Sequence, residues 1–67
     1  MNIEEAMVAI IEEAERQGFR VTQLHSGAWR IARDEKTLIF PTPSNALALL
    51  EVLRELIAAG LDWSRWE

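Results

Sequence analysis

Apolar residues along this chain repeat first every three or four positions, then every second position, then every three or four again. Ile3, Met7, Ile10 and Ala14 recur at steps of four, three and four, with Ala6 and Ile11 widening the stripe. That period predicts an amphipathic helix over Ile3–Gln17. Glu4 and Glu5 suit its positive end, Glu12 and Arg16 stand four apart as a favourable ion pair, and Gly18 follows as the C′ residue. Next comes "FRVTQL" (19–24), with Phe19 and Val21 on one face and Arg20 and Thr22 on the other. A turn "HSG" (25–27) leads into "AWRIAR" (28–33), where Trp29 and Ile31 share one face and Ala28, Arg30 and Ala32 the opposite one. After a second turn, "RDEK" (33–36), "TLIFP" (37–41) directs Leu38 and Phe40 inward. Short turns between alternating runs predict a three-stranded antiparallel meander.

A second helix begins after "TPS" (42–44). Thr42 is the expected N-cap with Pro43 in the first turn, and Ser44 is the alternative cap. Ala46, Leu49, Leu50, Leu53, Leu56 and Ile57 form a broad apolar stripe, and Gly60 ends the helix. The predicted fold class is therefore α+β: an α-β-β-β-α two-layer sandwich with two helices on one face of a three-stranded antiparallel sheet. The other sheet face is left open and carries Arg20, Thr22, Ala28 and Arg30.

Sixty-seven residues make one domain, 1–67. A chain this short buries only about 60% of its unfolded surface, so its core has little reserve. The sequence contains no Cys and one His, which excludes disulfides and thiolate metal sites and leaves no metal or organic cofactor implied. Stability must then come from aliphatic packing, with 49% hydrophobic residues, or from self-association, so a homodimer is among the expected partners. The N-terminus is acidic where a signal peptide is basic, and no apolar run approaches the roughly 18 residues of a membrane span. These features predict a soluble, cytoplasmic protein without a membrane partner.

Net charge is −4, which taken alone argues against nucleic acid. The distribution changes that picture. Four Arg and no carboxylate lie between Arg16 and Arg33, while all 11 carboxylates fall outside that stretch. Arg20 and Arg30, with Thr22 between them on the same face and Arg33 and Lys36 nearby, are candidate RNA contacts, because forked guanidinium groups pair well with phosphate oxygens. Any exposed strand face also carries long polar residues, and that reading stands beside the first.

The segments "QGFRVTQLHSGAWRI" and "FPTPSNALALLEVLRELIAAGLDW" resemble the HicA-type toxins, in particular the short versions found in actinobacteria and their phages. The resemblance covers roughly residues 10 to 63 and is carried by "GFRV", the Gly-containing turn and "PTPS". It implies a domain shaped like double-stranded-RNA-binding domains and an endoribonuclease, an mRNA interferase of a toxin–antitoxin system. Its partners would be mRNA and a cognate antitoxin protein. The family's catalytic His stands on the second strand just after the small-residue turn, and in this chain that position is Ala28. A His there could take a proton from a ribose 2′-OH or protonate a leaving oxygen. A methyl group can do neither, so the resemblance implies a chain that is inactive as written. Two origins stay open for Ala28: a substitution that disarms a nuclease, or a naturally non-catalytic relative. A non-catalytic RNA-binding or protein-interaction module is the alternative function.

Three further residues carry two readings each. His25 is a solvated turn residue or a displaced base, although three residues along a strand is about 10 Å and an odd step. Trp63 and Trp66 either fold back to cap the core or mark a surface for a partner. Ser26, Ser44 and Ser64 have no His and Asp arrangement for a hydrolytic triad.

Overall fold

The computed structural model describes residues 2–63. Its elements run α1 (Ile3–Arg16), β1 (Arg20–Gln23), β2 (Trp29–Arg33), β3 (Lys36–Phe40) and α2 (Ala46–Ala58). The sheet is antiparallel in the order β1-β2-β3. Both helices cover the side that carries Ile31, so the order and architecture are those the alternation predicts. Met7, Ile10, Ile11 and Ala14 of α1 and Val52 and Leu56 of α2 meet Ile31 and Phe19 in one core, with Trp29, Leu38 and Phe40 packed at its edge.

Both helices are framed in the same way. Asn2 Oδ1 accepts the Glu5 N–H at 2.8 Å, and Asn45 Oδ1 accepts the Ala48 N–H at 2.9 Å. Each supplies an acceptor to an N–H group that the first turn leaves unpaired. Each helix ends on a glycine at positive φ, Gly18 at 100° and Gly60 at 110°. The next residue folds back: Phe19 N–H donates to Ala14 O and Leu61 N–H to Leu56 O, both at 2.9 Å. Gly18 and Gly60 donate to Glu15 O and Ile57 O, which completes the Schellman pattern at both ends. The residue after each glycine, Phe19 or Leu61, is thereby delivered to the core.

Three expectations are corrected. The cap of α2 is Asn45, neither Thr42 nor Ser44, because the helix starts later and Pro43 is buried outside it. The buried stripe of α2 is rotated: Val52 and Leu56 are buried and Leu49 and Leu53 half-buried, whereas Leu50 and Ile57 lie in solvent. Arg16 pairs with Glu13, one residue closer than Glu12, and the hydrogen bond and charge of that buried carboxylate raise the pKa of Arg16 above its ordinary value.

The C-terminal end of the described chain is fastened to α1. Gln17 Nε2 donates to Asp62 O at 2.7 Å, Gln17 Oε1 accepts the Asp62 N–H at 2.8 Å, and the same amide donates to Glu13 at 2.6 Å. This clamp sets Trp63 against the core, where it is half-buried. Trp66 lies outside the described residues.

Candidate RNA-binding face of the sheet

Strand register decides which side chains share the open face. Thr22 stands opposite Arg30, and Arg30 opposite Ile39; on the adjoining rung Arg20 faces Ala32, and Ala32 faces Thr37. Residues two apart point the same way, so all six share the side away from the helices. Arg20, Thr22, Arg30 and Thr37 are exposed and Ala32 is half-buried, so a shallow polar depression forms over the small Ala32 side chain. Arg20 and Arg30 are diagonal neighbours across β1 and β2, about 7–8 Å apart at the backbone. Asp34 is the one acidic residue among those that line this depression.

Ala28 belongs to the same side. It precedes Arg30 by two residues, about 7 Å along the strand, and continuing the alternation of β2 puts its methyl group on the side of Arg30. Its backbone is held by the hairpin. Leu24 N–H donates to Ala28 O at 2.8 Å, Gly27 N–H donates to Leu24 O at 2.9 Å, and Gly27 has φ of 89°. A tight turn followed by a left-handed glycine is a three-residue hairpin loop with a bulge, and it accounts for the glycine at position 27.

Thr42 fixes this loop from outside. Its hydroxyl donates to Gly27 O at 2.6 Å, and Gln23 Nε2 donates to the same carbonyl at 3.5 Å. The segment before α2 is therefore tied to the turn that presents Ala28. Nothing in the spacing of Gly27 and Thr42 signals this contact, because 15 residues separate them.

The other candidates are placed elsewhere. Arg33 shares the parity of Trp29 and Ile31, so its side chain turns to the helical side. Its guanidinium lies 4.3 Å from the centre of the Phe19 ring, and Nη2 donates to Ala59 O at 3.2 Å. Arg33 thus closes the core at the end of α2, and it also borders the depression that Arg20 and Arg30 line. Lys36, opposite Arg33 in the register, has the same parity and is exposed beside the second turn. His25 is exposed at the first turn. Trp29 points inward, with its indole Nε1 buried and without a hydrogen-bond partner among the described residues. Ile39 is 61% exposed at the centre of the open face, a position that strand alternation could have flagged.

No family model, curated protein or solved structure matches this chain. Among the described residues no group of three or more His, Cys, Asp or Glu is arranged to hold a metal, and no helix is long and apolar enough to cross a membrane.

The chemistry available to the open face is then definite. Two guanidinium groups supply forked, permanently charged donors, and two threonines add hydroxyl donors to the same surface. Ile39 offers an apolar contact beside them. The combination suits a phosphodiester backbone with a base or sugar laid against it. General acid–base chemistry has no group at the position of Ala28.

Proposed function

We propose that the protein is a HicA-like, toxin-type domain that takes hold of mRNA through its open sheet face and does not cleave it as written. One observation carries the reading: Arg20, Thr22 and Arg30 fall on a single exposed face with the helices packed behind it, and the half-buried Ala28 precedes Arg30 by two residues on the same strand parity. Arg20 and Arg30 neutralise phosphates. Thr22, opposite Arg30, and Thr37, opposite Ala32, orient the backbone. A histidine in place of Ala28 would stand one pleat beyond Arg30, close enough to the bound phosphate for proton transfer to and from a ribose hydroxyl. In the active form that imidazole would serve as general base or acid, with the arginines balancing charge that builds on the phosphate.

The alternative of a protein-interaction module built on the tryptophans draws less support, because Trp63 is packed against the core. An antitoxin remains the expected protein partner under the toxin reading.

The test is RNA binding followed by fluorescence anisotropy with a labelled single-stranded RNA over a range of salt. Each single-strand phosphate contact contributes about 0.7 to the logarithmic salt slope. Removing both Arg20 and Arg30 should flatten the slope by about 1.4, which is about a sevenfold difference in affinity lost between 50 and 200 mM salt. Binding that keeps its salt slope in the double variant would remove the open face from the interface.

A further inference from the structure

The outer surface of α2 is apolar where a solvated helix should be polar. Leu47 is 74% exposed, Leu50 54% and Ile57 46%. With the exposed Arg54 they follow steps of three, four and three, which is one stripe along a helix and the spacing of a helix–helix seam. The stripe lies on the side of α2 away from the Val52–Leu56 face that enters the core.

We infer that this stripe pairs with the same stripe of a second copy, the two α2 helices running antiparallel about a two-fold axis that passes outside the helix, midway between Leu50 and Arg54. The stripe is self-complementary about that point. Leu47 of one copy meets Ile57 of the partner copy, and Leu50 meets Arg54. A two-fold interface must match its own surface in this way. The charges match too. Arg54 lays its aliphatic stem over the partner copy's Leu50, and its guanidinium reaches the partner copy's Glu51, one residue along. The symmetric contact forms twice, so each copy contributes one cation and one carboxylate. Both are exposed in the single chain.

The area sets the strength. α2 has 13 residues and is about 20 Å long. A helix pair of that length covers about 400–500 Å² per copy, below the roughly 800 Å² per partner of a standard stable complex. The dimer is therefore weak and concentration-dependent. It uses the outer side of the helical layer, so the open sheet face of each copy stays free and the pairing does not depend on the RNA reading.

Sedimentation velocity from about 1 µM to about 1 mM tests this. The mass should rise from 7.7 kDa towards twice that value. Leu50→Lys changes an exposed position and leaves the circular dichroism spectrum intact, but should weaken the dimer about tenfold or more. Arg54→Glu should weaken it as well, and adding Glu51→Arg in the same chain should restore it, a rescue that a folding defect would not give. A monomer at every concentration overturns the proposal. So does a dimer indifferent to Leu50→Lys and Arg54→Glu, which would place the contact on another surface.

Discussion

Replacing Gly60 with alanine should destabilise the protein far more than the same change at Gly18, although the two glycines close their helices in the same way. Both sit at positive φ, 100° and 110°. A Cβ in left-handed backbone costs about 1–2 kcal/mol, offset by about 0.5 kcal/mol because alanine restricts the unfolded chain. At Gly18 the added methyl meets nothing within 4 Å, so that balance of about 1 kcal/mol is the whole effect. At Gly60 it overlaps the Arg33 guanidinium. Arg33 must swing away, losing its bond to Ala59 O and its place over Phe19. A hydrogen bond of this kind is worth about 1 kcal/mol, and the ring contact about 0.5–1 kcal/mol at a half-exposed site. Gly60→Ala should therefore cost about 2–3 kcal/mol against about 1 kcal/mol for Gly18→Ala. Urea unfolding followed by circular dichroism reads the difference, and a domain of this size should show a melting-temperature gap of about 6–12 °C. In an Arg33→Ala background the gap should close. Equal losses at the two glycines, or a gap that survives Arg33→Ala, would show that Arg33 is not seated against the end of α2.

Asn45→Ala should cost about 1 kcal/mol, whereas Ser44→Ala should change stability by less than about 0.5 kcal/mol, as unfolding midpoints of the two variants would report. Thr42→Val should leave the helical signal of α2 unchanged but speed amide hydrogen exchange in residues 24–28, because Gly27 O loses its hydroxyl partner. Gln17→Ala removes the amide that holds Asp62. Trp63 fluorescence cannot be read alone beside Trp29 and Trp66, so a Trp29→Phe, Trp66→Phe background should show its emission shifting to the red when Gln17 is lost. Ile39→Lys adds a cation to the centre of the open face and should steepen the salt slope of RNA binding by about 0.7 with little change in stability.

Much of this arrangement could be read from alternation. Arg20, Thr22 and Arg30 share a face because they are even-numbered steps on paired strands, and the same rule puts Trp29, Ile31, Leu38 and Phe40 inside. Applied to Arg33, the rule already places it with Trp29 and Ile31; proximity in sequence to Arg30 suggested otherwise. The rotation of α2 was harder to read, since nearly every position from Ala46 to Leu53 is apolar and several stripes fit. Only packing against Ile31 and α1 selects Val52 and Leu56. Asn2 and Asn45 had a readable signal as caps, each three residues before the N–H it accepts, but "TPS" offered competing oxygens. The Gln17–Asp62 clamp and the Thr42–Gly27 bond join residues 45 and 15 apart. No local pattern encodes such contacts, because they exist only once the layers have closed.

The most direct test of the functional account is RNA cleavage by the chain as written and by its Ala28→His variant, side by side, with and without a chelator. The account predicts no cleavage by the first and chelator-resistant cleavage by the second, lost again when Arg30→Ala is added. A folded Ala28→His variant that binds RNA and leaves it intact would contradict the assignment of position 28 as the seat of the missing base.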